Sequence, residues 1–157
     1  METINDRFVN WAEDPARTLE ERYGILRLVE YVYDRCYRGP DKVQKNWQAD
    51  SLMREERRFN PAFVPVLDPD RLRTVAGLLP EVRQLELDHF GDERPIRDLG
   101  FLEFLPQLEN LKLKDIEIDR LTALRFVPRL QNFHIRTDGV EDYSDLAACR
   151  ELRKIAI

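Results

Sequence analysis

The second half of the chain repeats one spacing of apolar residues. Four segments have an apolar residue at their first, fourth and sixth positions, and they are VRQLEL from Val82, LENLKL from Leu108, LQNFHI from Leu130 and LRKIAI from Leu152. These segments start 26, 22 and 22 residues apart. The fourth and sixth positions are two residues apart, which is the spacing of the inward-facing side chains of a β-strand. The pattern therefore predicts four strands at equivalent places in successive units.

A second set of apolar residues follows each of the first three strands, at intervals of three that suit 3₁₀ or helical turns. In the successive units these residues are Ile96, Leu99, Leu102 and Leu105, then Ile118, Leu121, Leu124 and Val127, then Val140, Tyr143, Leu146 and Cys149. The first set is displaced by four residues, which places an insertion within DHFGDERP. Each unit is therefore predicted to contain a strand, a turn and a helical return, and stacked units bury one another's faces.

This pattern resembles the leucine-rich repeat family, in the short 22-residue class found in internalin-like proteins. Units of that class read like L-x-x-L-x-L-x-x-N-x-I-x-x-I/L-x-x-L-x-x-L, and the matching segment here is LENLKLKDIEIDRLTALRFV. The resemblance covers about residues 68–157. It implies an α/β fold, a solenoid of about four to five rungs with a parallel sheet on its concave side. The family's inward Asn is replaced by Phe90, Ile116 and Asp138, so the polar ladder of the family is absent while the apolar stacking is kept.

An alternative interpretation of the same residues is a set of amphipathic helices with Leu at i and i+3. Proline, however, recurs two residues before three of the four strand segments, as Pro80, Pro106 and Pro128, and Gly, Asp and His fall in the turns. Such residues interrupt helices. The pattern therefore favours strands.

The N-terminal region, residues 1–58, is predicted to be an α-helical cap on the repeat domain, residues 59–157. The segment DPARTLEERYGILRLVEYVYDRCY reads as a helix, with Asp14 as N-cap, Pro15 at the first helical position and Leu19 on the inward stripe. Residues 8–11 are expected to form a short turn before it.

One further segment completes this region, and two more begin the repeat domain. DKVQKNWQADSLMREERR reads as a second helix. Residues 63–67 are interpreted as a degenerate first strand, and Asp68 with Pro69 begins a helix that returns over residues 71–79. The helices are expected to cover the open N-terminal end of the solenoid, as terminal repeats require. A region of this size is also large enough to bind something itself.

Alternate residues of the predicted strands point out of the sheet, and we take these as candidate partner-binding residues. They are Glu86, Asp88, Asn110, Lys112, Lys114, Asn132, His134, Arg136 and Lys154. Neighbouring parallel strands lie about 4.8 Å apart, so Glu86 is expected to face Lys112, and Asp88 to face Lys114. The remaining cations are expected to form a basic patch towards the C-terminal end of the sheet, although ordinary solvated surface is an equal alternative.

The overall charge bears on the class of partner. The 157 residues include 25 Lys and Arg and 30 Asp and Glu, a formal net charge of -5. This balance disfavours nucleic acid, whose binding depends on clustered cations. A basic patch on an acidic chain favours an acidic protein surface instead. The mean hydropathy is -0.54, and no run of about 18 apolar residues occurs, so we expect a cytoplasmic protein without membrane contact.

Residue patterns that carry chemistry are scarce. No phosphate-binding loop, nucleophile elbow or H-E-x-x-H segment occurs, and His89 and His134 belong to different rungs. Cys36 and Cys149 lie far apart and are expected to be buried hydrophobic residues rather than a disulfide or a zinc site. The turn from Asp88 to Glu93 could hold a cation but reads more simply as a solvated loop. We therefore expect no enzyme, no metal and no cofactor.

The sequence thus predicts a protein–protein interaction module that binds a partner protein through the concave sheet, and more narrowly an inhibitor or immunity-type protein. The alternatives are a self-assembling scaffold and a hydrolase with its site at the turn from Asp88 to Glu93. The last segment, LRKIAI, ends within a predicted strand beside Leu152 and Ile155. A truncated chain, a homodimer through this C-terminal edge strand, and an edge that pairs with a partner's strand are all consistent with that ending.

Overall fold

The computed structural model describes residues 3–38, 67–88, 96–114, 116–137 and 139–157. In these residues the chain is α/β, with three α-helices and a four-stranded parallel sheet. The helices are α1 (Ile4–Ala12), α2 (Leu19–Val32) and α3 (Pro69–Leu78). A π-helical segment, Tyr33–Arg38, continues directly from α2.

The four strands pair in chain order, each parallel to the next. They are β1 (Gln84–Asp88), β2 (Asn110–Lys114), β3 (Asn132–Arg136) and β4 (Lys154–Ala156). Leu111 of β2 aligns with Leu85 on one side and with Phe133 on the other, and all three side chains are buried. The four predicted strands and their parallel direction are therefore confirmed. The predicted inward positions are buried in β1, β2 and β3, whereas Ile155 of β4 is 48% exposed, because no further strand or return covers it in the described residues.

Short 3₁₀ helices follow the first three strands, at Gly100–Phe104, Thr122–Phe126 and Ser144–Ala148. Their apolar residues three apart face the core, because a 3₁₀ helix has three residues per turn and stacks such residues on one side. In the first two units Leu102, Leu105, Leu124 and Val127 are fully buried. The prediction of 3₁₀ returns is confirmed. The inserted turn at residues 89–95, by contrast, lies outside the described residues.

Backbone hydrogen bonds connect the units at the start of each strand. A carbonyl just before one strand accepts two N–H groups from the start of the next, at 2.7 to 3.0 Å. The accepting carbonyls are those of Arg83, Glu109 and Gln131, which hold equivalent positions in three units. These bonds do not depend on side-chain identity. The residues between the apolar positions can therefore differ from unit to unit while the strand register is kept.

The predicted start of the long N-terminal helix is wrong. α2 begins after Thr18, whose Oγ1 accepts the Glu21 N–H at 3.1 Å, while the Glu21 carboxylate accepts the Thr18 N–H at 3.4 Å. This reciprocal capping box satisfies two N–H groups at once. The Asp14 carboxylate instead accepts the Ala16 N–H at 2.9 Å, so Asp14 and Pro15 belong to a turn between helices.

The residues before that turn form a helix of nine residues, α1, instead of the short turn that we expected. Its own capping box joins Thr3 and Asp6. Phe8 is buried in α1 and packs against the Phe104 ring with 5.1 Å between ring centroids. Leu19 is 48% exposed at the start of α2 rather than inward, because the correct boundary puts it in the first, outer turn of that helix.

The helix predicted from Asp68 and Pro69 is confirmed as α3, with the Asp68 carboxylate accepting the Asp70 N–H at 2.9 Å. α2 contacts β1 and the 3₁₀ helix Gly100–Phe104, and the helices share one continuous hydrophobic core with the strands. Cys149 is buried, as expected. The boundary at residue 58, the second predicted helix, the side chain of Cys36 and nearly all of the strand predicted at 63–67 lie outside the described residues.

Candidate functional site on the outer face of the sheet

The outward residues of the four strands form three columns that cross the sheet. By register, the first column contains Gln84, Asn110, Asn132 and Lys154, the second contains Glu86, Lys112, His134 and Ala156, and the third contains Asp88, Lys114 and Arg136. All nine predicted site residues occupy these columns, with Asp88 placed by its backbone alone. The register brings them together because buried residues alternate with them along β1, β2 and β3, and β4 pairs with β3 in the same register.

The second column begins with an ion pair between neighbouring strands. Lys112 Nζ lies 3.3 Å from Glu86 Oε1, and each side chain is about one-third exposed, at 35% and 34%. The predicted pairing of these residues is confirmed. Such an exposed pair stabilises the fold by only about 0.2–1 kcal/mol. His134, next in the column, is partly buried between Lys112 on β2 and Ala156 on β4.

The first column contains a hydrogen bond between two side-chain amides. Asn132 Nδ2 donates to Asn110 Oδ1 across the β2 and β3 strands. An amide has two donor hydrogens and an oxygen that accepts two bonds, so this single bond uses only part of what the two side chains offer. The pair therefore presents both donors and acceptors on the outer face of the sheet.

A shallow groove of about 490 Å³ runs across all four strands between the first and second columns. Gln84 and Glu86 line its β1 end, and Lys154 and Ala156 line its β4 end. Three strand spacings of about 4.8 Å make it about 14 Å long. Gln84 and Ala156 are not among the nine candidate partner-binding residues, although the repeat places both on the outward face of the sheet. Their outward positions in the repeat are the only sign that could have found them.

The charge of the outer face is opposite to that of the chain. By register the three columns contain four Lys and Arg residues and two acidic residues, which leaves two net positive charges, whereas the whole chain has a net charge of -5. In the third column Lys114 lies beside both Asp88 and Arg136 in the register. Both acidic residues of the columns lie on β1, whereas β3 and β4 contribute Arg136 and Lys154.

Other reactive groups belong to the core or to the turns. Burial raises the pKa of the Cys149 thiol, whose Sγ lies 3.6 Å from the carbonyl oxygens of Leu124 and Val127. Across the described ranges, no three His, Cys, Asp or Glu side chains are grouped to hold a metal ion. The turn after Asp88 lies outside those ranges. No helix within them is long and apolar enough to cross a membrane.

No protein-family model matches the chain, and no curated protein is significantly similar to it. What the outer face does is therefore inferred from its own geometry and chemistry.

Proposed function

We propose that the protein is a protein–protein interaction module, built as a leucine-rich-repeat-type solenoid with an α-helical cap, and that it binds a partner protein through the outer, concave face of its sheet. The observation that carries the proposal is the concentration of positive charge on this one face of an acidic chain. Because all three columns are set by the strand register, their side chains are held on rigid backbone. Rigid placement lowers the entropic cost of binding.

The mixture of groups on the face suits a protein better than nucleic acid. Amides that donate and accept stand beside cations and two carboxylates. Acidic side chains repel a phosphate backbone, and the chain as a whole has a net charge of -5. A folded protein surface or segment can place opposite charges and hydrogen-bonding groups against each column separately.

The dimensions of the face indicate how far the contact extends. From strand and residue spacings the three columns cover about 14 by 13 Å, or roughly 200 Å². A standard interface buries about 800 Å² on each partner. The sheet face is therefore the centre of the contact, and the surrounding turns supply its rim.

A narrower form of the proposal is that the partner is an enzyme, which this protein inhibits as an inhibitor or immunity-type protein does. An acidic chain whose sheet face has a net positive charge is suited to recognise an oppositely charged site. Stoichiometric loss of the partner's activity on mixing is the expected result, and a fully active complex would limit the role to binding.

A steric block tests whether the face is used, whatever its charge chemistry. Asn132 is exposed at the centre of the first column, so Asn132→Trp adds an indole where a partner would lie. Thr122→Trp is the matched control, because Thr122 is exposed on a 3₁₀ helix and lies in none of the columns. Both variants are first checked for unchanged circular dichroism and melting temperature.

The assay is affinity capture from the native source, followed by mass spectrometry. We expect the wild type and Thr122→Trp to retain the same stoichiometric partner and Asn132→Trp to lose at least tenfold of it. Equal capture by both variants would exclude the sheet face as the binding site. Capture of further copies of the chain alone would favour a self-assembling scaffold.

A further inference from the structure

The groove between the first and second columns has different chemistry at its two ends. At the β1 end Glu86 is held in its ion pair with Lys112, 3.3 Å away. At the β4 end the lining residues are Lys154 and Ala156, and His134 of β3 lies beside Ala156 in the register. A ligand that lies along the groove therefore meets a neutralised pair at one end and positive charge at the other.

We propose that this groove holds an extended segment of the partner protein, about four residues long, with an acidic side chain at its β4 end. The inference rests on the proposed function and specifies the chemistry of the partner. The length follows from the groove, because an extended chain advances about 3.3 Å per residue and the groove is about 14 Å long.

The small side chain of Ala156 determines where the acidic group enters. The other members of its column are Glu86, Lys112 and His134, whose side chains are all longer. The side chains of the second column therefore project least at β4. This low point lies directly beside the cation of Lys154 and the ring of His134. A carboxylate placed there accepts a charge-assisted hydrogen bond from Lys154, which is stronger than a bond between neutral groups.

The middle of the groove suits a peptide backbone. The bonded pair Asn110 and Asn132 lies on one wall and presents amide donors and acceptors. These groups match the N–H and C=O groups of an extended segment, which are otherwise costly to desolvate. Side-chain amides thus provide hydrogen bonds that do not depend on the segment's sequence, and the charged end provides its direction.

The lining argues against a single-stranded nucleic acid in the same groove. Proteins that bind single strands stack the bases on outward aromatic rings, and the three columns contain none among their described side chains. Phe133, which lies at the base of the groove, is buried with 1% exposure. The groove therefore has positive charge that could attract a phosphate backbone, but its described side chains give bases no aromatic ring to stack on.

The test uses capped hexaglutamate and capped hexalysine as probes, titrated into the full chain and followed by NMR. The chain has two histidines, so a His134→Gln spectrum assigns the His134 ring signals directly. We expect hexaglutamate to shift these signals and to bind at least fivefold more tightly than hexalysine. Raising the salt concentration is expected to weaken the binding, because the contact is charged and exposed.

Two charge-reversal variants distinguish a local contact between hexaglutamate and Lys154 from a general effect of the protein's net charge. Lys154→Glu is expected to weaken hexaglutamate binding by about five- to tenfold. Arg150→Glu changes the net charge equally at an exposed residue outside the columns, and binding is expected to stay within twofold. Ala156→Leu keeps all charges and fills the low point of the second column, so it too is expected to weaken binding at least threefold.

Several outcomes would overturn the inference. These are equal binding of the two probes, equal weakening by Lys154→Glu and Arg150→Glu, and no effect of Ala156→Leu. Tighter binding of an oligothymidylate of the same charge as hexaglutamate would indicate nucleic acid instead. If the captured partner is lost with Asn132→Trp while hexaglutamate fails, the proposed function stands and this inference alone is wrong.

Discussion

Two glycine substitutions with opposite expected effects test how closely the repeat units pack. A Cβ added to Gly139 would lie 2.5 Å from the carbonyl oxygen of Ile118, in the preceding unit. Separations below 3.0 Å are essentially never seen for real Cβ atoms, so the two backbones must move apart by about 0.5 Å. The nearest atom to a Cβ on Gly77, in contrast, is Asn5 Nδ2 at 3.8 Å, an ordinary contact.

The magnitudes follow from these distances. Crowding in a packed region costs about 1–3 kcal/mol, and replacing glycine stabilises by about 0.4–1 kcal/mol through the unfolded chain. Gly139→Ala is therefore expected to lower the free energy of unfolding by about 1–2 kcal/mol. Gly77 is exposed within α3, so Gly77→Ala is expected to raise it by about 0.5–1 kcal/mol through helix propensity.

Urea denaturation followed by circular dichroism measures both variants against the wild type. With a slope of about 2 kcal/mol per molar urea, Gly139→Ala is expected to lower the midpoint by about 0.5–1 M, and Gly77→Ala to raise it. A Gly139→Ala variant as stable as wild type, at an unchanged slope, would refute the close approach of the two units.

Three further predictions concern the core, an ion pair and the thiol. Leu113→Ala removes a fully buried side chain of β2 and is expected to cost about 3–4 kcal/mol in urea denaturation. The hydrogen bond from Arg17, at 2.8 Å, lowers the pKa of Glu21 from its usual 4.5. Ionised Glu21 thus stabilises the fold above pH 4.5, and this contribution is lost as pH falls through the lower folded pKa. Glu21→Gln retains a capping oxygen and is expected to lower the free energy of unfolding at pH 7 by up to about 1 kcal/mol. The stability of this variant is also expected to change less with pH in the acid range, and thermal melts at several pH values measure both effects. Because Cys149 is buried with a raised thiol pKa, peptide mapping is expected to show far slower alkylation in buffer than in urea.

Each of these predictions has a contrary result. A loss below about 1 kcal/mol for Leu113→Ala would mean that β2 does not lie in a close-packed layer. An acid transition in Glu21→Gln identical to that of the wild type would show that the Arg17 bond does not depend on charge. Alkylation of native Cys149 at the rate seen in urea would contradict its burial.

The sequence by itself determined the regular part of this protein. Apolar residues are the ones that become buried. Apolar residues two apart therefore indicate the inward face of a strand, and apolar residues three apart indicate a 3₁₀ return. The strand spacing recurs in each unit, so it puts the same strand position of each unit side by side, even where the first unit is four residues longer. The pairing of Glu86 with Lys112 could therefore be predicted from the sequence and is found at 3.3 Å. The role of this face in binding stays a prediction.

The start of α2 is also determined locally, although the sequence analysis missed it. Thr18 with Glu21 three residues later forms a capping box, whereas Asp14 caps only a turn. The tertiary structure decided the contacts between distant segments. Arg97 bonds Glu117 at 2.8 Å and Glu20 at 3.0 Å, and these bonds raise the pKa of Arg97. No local spacing relates α2 to the turn of a later repeat.

The groove is another feature that only the three-dimensional structure decides. Its walls come from four strands that lie up to 72 residues apart in sequence, from Gln84 to Ala156. Its depth depends on how the side chains of neighbouring columns lean and on the short side chain of Ala156 among longer neighbours. Apolar periodicity records which residues are buried, because burial dominates the energy of folding. The apolar pattern therefore says little about the shape of the polar surface that stays exposed to solvent.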